Sequence, residues 1–184
     1  MIRLNRTEVF LLVIDVQEKL LPVIDQRESL VQNIERLIRG AGVLDVPVLT
    51  TEQYVKGLGR SVEPIRTALA QTAAQSPIEK VAFSAWGSAE FQTELRLLHR
   101  KHAVVAGIEA HVCVYQTVAD LLKNGFGVTV VDDAVSSRTP RNQQIGVRRM
   151  LQEGALLTST EMVLFELAGT SGTDEFRAIS RLVK

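Results

Sequence analysis

Cysteine is almost absent: the 184 residues contain one, Cys113. A lone thiol closes no internal disulfide, which excludes a disulfide-stapled secreted scaffold. Charge of one sign is also missing, since 21 Lys and Arg face 21 Asp and Glu. No global field favours nucleic acid or an anionic membrane, and neither is expected as a partner. Long hydrophobic runs are lacking. The N-terminal MIRLNRTEVFLLVIDVQ meets Asp15 too soon to span a bilayer and shows no small-residue cleavage site. A cytoplasmic protein is the expectation. Aromatics are scarce, at 5%, and do not interleave with basic residues as RNA- or DNA-binding surfaces do. What remains is an ordinary apolar fraction, 46%, in a chain of the length of one domain, 1–184.

Apolar character comes in short continuous blocks. Phe10 to Val16 (FLLVIDV) is interrupted only by Asp15, and continuity rather than alternation points to a strand buried on both faces. Leu30, Val31, Ile34, Leu37, Ile38 and Ala41 then recur at helical spacing. Further strands are expected at Val46–Thr51, Ile78–Phe83, His102–Ile108, Gly127–Val131 and Ala155–Thr158. Between them, helices are expected over Pro64–Ala73, Ala89–Arg100 (capped by Ser88), Cys113–Lys123 (stopped by Asn124-Gly125) and Pro140–Glu153. Two more, Thr160–Leu167 and Thr173–Leu182, close the chain, and Gly57–Arg60 reads as loop. Regular alternation of strand and helix implies an α/β fold: an open six-stranded parallel sheet with helices on both faces, most commonly ordered 3-2-1-4-5-6.

That order makes strands 1 and 4 neighbours and reverses the winding between them, so ligands bind at their carboxyl ends. Asp15 ends strand 1 and Cys113 follows strand 4. A cysteine in the first turn of a helix feels free N–H groups and the positive dipole end, which predicts a depressed thiol pKa. A lone cysteine can also be a small buried hydrophobe, and an Asp at a strand end can be a turn residue. Lys80, among apolar neighbours in IEKVAF, must snorkel to solvent or meet an anion. Pointed into the crevice, it would find Asp15.

Three segments in this order, LLVIDVQ, IEKVAFSAW and GIEAHVCV, resemble the isochorismatase-like superfamily of cysteine hydrolases. The resemblance covers almost the whole chain. TEQY followed by KGLG is similar to a branch of isochorismatase-domain proteins of unassigned substrate. The resemblance implies a catalytic triad of Asp15, Lys80 and Cys113. Asp15 takes the thiol proton, Lys80 orients the carboxylate, and Cys113 attacks a carbonyl carbon to form a thioester-type intermediate. It also implies a non-proline cis peptide at Ile108–Glu109, with the backbone N–H groups of Glu109 and Cys113 as the oxyanion hole. The Glu109 side chain is expected to be an idle surface group. Isochorismatases proper lack the cysteine, so the likeness is to the amidase-like branch. The nicotinamidases of that branch carry an Asp-x-His and a second His as metal ligands. Here His99, His102 and His111 all lie after Lys80, so no metal or cofactor is expected.

Gln17, Tyr54, Phe83 and Trp86 are candidate pocket walls, with core packing the ordinary use of the aromatics. His111 stands two residues from Cys113, where helical neighbours do not face each other, which favours packing or capping over catalysis. Ser136-Ser137-Arg138 reads as a cap for the helix at Pro140, with binding of a neighbouring subunit or a substrate anion the alternative. Gly57-Leu58-Gly59 lacks a dinucleotide fingerprint, and Gly169–Gly172 lacks the Lys-Ser/Thr of a phosphate loop. The expected function is metal-independent cysteine hydrolysis of a C–N bond in a small amide or related carbonyl compound. The alternative is a non-catalytic interaction protein of the same fold. Its partner is a small-molecule substrate, and the resemblance implies a homo-oligomer.

Overall fold

A computed structural model describes residues 3–74 and 76–184. Six strands, β1 (Val9–Ile14), β2 (Val48–Gln53), β3 (Ile78–Lys80), β4 (His102–Ile108), β5 (Gly127–Ser136) and β6 (Leu156–Thr158), form one parallel sheet. Its order is β3-β2-β1-β4-β5-β6, as the alternating pattern predicted. The helices are α1 (Arg27–Val43), α2 (Val55–Leu58), α3 (Glu63–Ala70), α4 (Ala89–Leu97), α5 (Tyr115–Lys123), α6 (Pro140–Gln152), α7 (Thr160–Ala168) and α8 (Asp174–Val183). Among the described residues no helix is long and apolar enough to cross a membrane.

The central strands are buried along their whole length because both faces are covered. Val9, Leu11 and Val13 of β1 pack with α1, α3, α7 and α8, while Phe10, Leu12 and Ile14 pack with α4, α5 and α6. The apolar stripe expected on the first helix, Leu30, Val31, Ile34, Leu37, Ile38 and Ala41, is its buried face. Each such side chain contributes about 1.5–3 kcal/mol on burial, so these two layers dominate the stability. Helix ends follow local chemistry. Ser88 Oγ accepts from Phe91 N at 3.3 Å, and Gly125 turns the chain out of α5 at φ 81°.

Several boundaries differ from expectation. β3 stops at Lys80 instead of Phe83, because the next residues leave the sheet to surround the lysine ammonium. β5 runs on to Ser136 rather than ending at Val131, since β4 continues to pair with it at Gly107 and Ile108 across a register shift. The stretch expected as loop at Gly57 is in part the short helix α2. The helix expected to begin at Cys113 is preceded by a π turn, Ala110–Val114, so the thiol lies within a helical segment, not at its mouth.

β1 and β4 meet at the switch point through Gly107, which pairs with Ile14 at φ 123°. A Cβ there would stand 2.2 Å from the Ile14 carbonyl oxygen. The backbone angle and the close approach both require glycine. Gly107→Ala is therefore expected to cost about 2–5 kcal/mol, from overpacking and backbone strain together. Urea denaturation midpoints of the two proteins measure this; an unchanged midpoint contradicts it.

Candidate active site

The register sets the floor of the site. Ile14 lies level with Thr51 on one side and Gly107 on the other, and Gln53 lies level with Lys80. Asp15, the next residue of the chain, turns at φ 54°, a conformation Asp tolerates better than most. Its carboxylate accepts the Thr51 hydroxyl at 2.8 Å on Oδ1 and the Lys80 ammonium at 2.7 Å on Oδ2. The two charged side chains are 0% and 1% exposed.

An ion pair this buried persists only when its remaining hydrogen-bonding capacity is met. Lys80 Nζ also donates to Gln53 Oε1 at 2.7 Å, to the Phe83 carbonyl at 2.9 Å and to the Ala82 carbonyl at 3.2 Å. Gln53 is fixed in turn, its Nε2 on the Val81 carbonyl and its backbone N on Gln17 Oε1 at 2.7 Å. The loop after Lys80 is tied to α5, with Ala85 N on Thr117 Oγ1 at 2.9 Å and Ser84 Oγ on Asp120 Oδ2 at 2.6 Å. The lysine and the cysteine helix are therefore held by one set of polar contacts.

Cys113 completes the group. Its sulfur, in a residue 5% exposed, is near enough to Asp15 and Lys80 to feel both charges. Burial pushes its thiol up to about 12, the Asp15 carboxylate adds to that, and the Lys80 ammonium pulls the other way. This corrects the expectation of a depressed pKa. The sulfur is enclosed by the π turn and the core rather than aimed along an open helix end, and desolvation outweighs the dipole.

Other expected site residues separate. The Ile108–Glu109 peptide bond is cis. Gln17 is fully buried, and its Nε2 donates to the Gln53 and Gly59 carbonyls, clamping β2 to the loop before α3. Tyr54 and Phe83 are exposed and flank Lys80, through Tyr54 N on the Lys80 carbonyl at 2.8 Å and through the Phe83 carbonyl. The Tyr54 ring lies over Gly57. Trp86 packs edge-on against Phe126 at 6.0 Å, beside the amino end of β5, the packing use that the sequence also allowed. His111 Nδ1 shares a hydrogen bond with Ser137 Oγ at 3.0 Å. Thr139, not the serines before it, caps α6. Glu109, expected to be idle, is a buried carboxylate gripped by Arg138, a pairing the sequence did not suggest. Thr51 and Gln53 were also missed, since they read only as polar residues near a strand end. Among the described residues, no group of three or more His, Cys, Asp and Glu could hold a metal ion.

The thiol's state has a direct readout. Iodoacetamide should alkylate Cys113 at pH 8 at least about 100-fold more slowly than a free thiol of pKa near 8.5. Asp15→Asn removes the charge that raises the thiol and leaves that of Lys80, so labelling should quicken; no change contradicts the coupling. Stability follows with a definite sign. The folded thiol titrates above the unfolded one, so this contribution is complete below pH ~8.5 and falls by about 1.4 kcal/mol per pH unit above it. Cys113→Ser should lack this alkaline limb in urea titrations.

Comparison with known proteins places this geometry in a family. The isochorismatase domain matches residues 9–162. A secreted isochorismatase effector, Isc1, of Phytophthora sojae is 38% identical over 95% of this chain and 83% of its own. The MAR1 ribonuclease of Caenorhabditis elegans superposes with a TM-score of 0.91 at 37% identity, covering 99% of this chain and 92% of that one. YcaC of Pseudomonas aeruginosa, solved with hexane-2,5-diol and covalent acrylamide, superposes at 0.88 with 25% identity over 96% and 89%. With a matching domain over most of its length and such relatives on both counts, the chain belongs to the isochorismatase family.

Proposed function

We propose that the chain is a metal-independent cysteine hydrolase that cleaves a C–N bond of a small amide or related carbonyl compound. The observation that carries this reading is the buried Asp15–Lys80 pair at the carboxyl ends of β1 and β3, with the chain's sole cysteine just beyond the neighbouring β4 and within reach of both charges. A buried ion pair is weak as a source of stability, and its proximity to a potential nucleophile is what gives it a use.

The resting sulfur is a thiol, so attack and proton loss occur together. As Cys113 Sγ bonds to the substrate carbonyl carbon, its proton passes to the Asp15 carboxylate. Lys80 keeps that carboxylate in place and offsets its charge. The carbonyl oxygen takes the negative charge, and the backbone N–H groups of Glu109 and Cys113 receive it. The C–N bond then breaks, the nitrogen leaves with the proton from Asp15, and an acyl thioester remains. Water, deprotonated by Asp15, attacks the thioester, releasing the acid and restoring the thiol. Tyr54 and Phe83 form the exposed rim beside Lys80, which suits a small planar substrate.

The P. aeruginosa relative carries covalent acrylamide. Acrylamide is an electrophile that thiolates add to, and it is itself a small amide. The family resemblance makes a homo-oligomer the expected working form. A chain with one unpaired thiol suits the reducing cytoplasm, although the P. sojae relative is secreted.

A panel of small amides, imides and ureas, assayed for released ammonia or amine, tests the proposal. At least one should be turned over. Cys113→Ala should lower its kcat/KM by at least about 10³-fold and Asp15→Asn by at least about 10²-fold. Hydroxylamine should trap the acyl group as a hydroxamate in wild type alone. Turnover that survives Cys113→Ala sinks the mechanism, and no turnover across the panel favours the non-catalytic alternative. RNA cleavage lost in Cys113→Ala would move the chain to the activity named for the C. elegans relative instead.

A further inference from the structure

Beyond Ile108 the chain leaves the sheet, and residues 109–114 must be held by other means. The Glu109 carbonyl accepts Val112 N at 2.9 Å and Val114 N at 3.2 Å, which closes the π turn that carries Cys113. The Glu109 side chain does not cap this turn. It reaches across to the loop between β5 and α6. Oε1 accepts Arg138 Nη2 at 2.6 Å, and Oε2 accepts Arg138 Nε at 3.1 Å and the Arg138 backbone N at 3.2 Å. This is the planar fork that a guanidinium offers a carboxylate and a lysine cannot.

Exposure at the two ends is unequal. The Glu109 side chain is 5% exposed and that of Arg138 58%. Burial opposes the Glu109 charge, but the Arg138 hydrogen bonds outweigh it and hold the carboxyl below its ordinary range. The same loop and helix touch the next residues of the turn. Ser137 meets His111, and Gly146 of α6 packs so closely on Ala110 that a Cβ would stand 2.7 Å from the Ala110 carbonyl oxygen. Arg138 is the one charged fastening among these contacts.

We propose that Arg138 is a positioning residue for the reaction at Cys113. By gripping the buried Glu109 carboxylate, it fixes the turn that presents the Glu109 and Cys113 N–H groups and the sulfur. This rests on Cys113 being the nucleophile. Oxyanion donors act within a few tenths of an ångström of their working distance, so loosening their turn affects the transition state more than substrate binding. A displacement of about 1 Å is enough for a loss of order 10²-fold.

The experiment compares Arg138→Gln, Arg138→Lys and Glu109→Gln with wild type, each checked for folding by circular dichroism. On the best substrate of the amide panel, Arg138→Gln should lower kcat about 10²-fold with KM within about threefold. Arg138→Lys, which keeps the charge but not the fork, should recover part of that loss. A second readout needs no turnover: the iodoacetamide labelling rate of Cys113 at pH 9. The charges that act on the thiol are those of Asp15, Lys80 and Glu109. Arg138→Gln leaves the Glu109 charge unbalanced and should slow labelling, whereas Glu109→Gln removes that charge and should quicken it. A role in folding alone does not produce opposite shifts. Equal labelling rates in all three proteins, or a kcat loss matched by an equal rise in KM, overturn the assignment. If no amide is turned over, the labelling pair still decides on the clamp, separately from the hydrolase reading.

Discussion

The Lys80–Asp15 ion pair is the constraint around which the carboxyl ends of the sheet are organised. Two charges brought out of water cost several kcal/mol each unless every remaining donor and acceptor finds a partner. That demand accounts for otherwise unconnected features. Thr51 and Gln53 of β2 put polar side chains into a buried layer, both at the pair. β3 is cut short so that the Ala82 and Phe83 carbonyls can turn back to Nζ. The Gln17 amide accepts the Gln53 backbone N–H and donates to the Gln53 and Gly59 carbonyls, which ties β2 to the loop before α3. The parallel sheet supplies the geometry, and the ion pair dictates which polar residues it can tolerate there.

The two faces of β2 divide the labour. Thr51 and Gln53 serve the site, while Glu52 between them points the other way. Its carboxylate is buried and accepts Ser61 N at 2.7 Å, Ser61 Oγ at 2.8 Å and Arg60 Nη1 at 2.9 Å. One strand thereby anchors the floor of the candidate site and the loop behind it, because successive side chains leave on opposite sides. Isologous logic applies at Glu109, where a second buried carboxylate fastens the turn under Cys113 to the loop after β5.

Much of this was legible in the chain. Continuous apolar runs marked the strands, helical spacing marked the buried stripe of α1, and strand–helix alternation led to the order that puts Asp15 and Cys113 side by side. Lys80 was legible as a charge in an apolar setting that needed an anion. Resemblance, not spacing, assigned the three residues their shared chemistry. The Glu109–Arg138 grip was not legible, because nothing in GIEAHVCV says that the glutamate turns inward, and its partner lies on a later loop. Nor was the state of the thiol. Cys113 reads as a helix start, but the π turn places it a few residues inside, where desolvation dominates the field at the helix end. Which of its two uses Trp86 takes was not legible for a related reason: proximity in sequence to Lys80 does not say toward which end of the sheet a large ring points.

The buried thiol has one more consequence, which concerns exposure to oxidants. Thiolates, not thiols, react readily with peroxides and disulfides. A sulfur kept protonated and covered at rest is therefore a poor target for both.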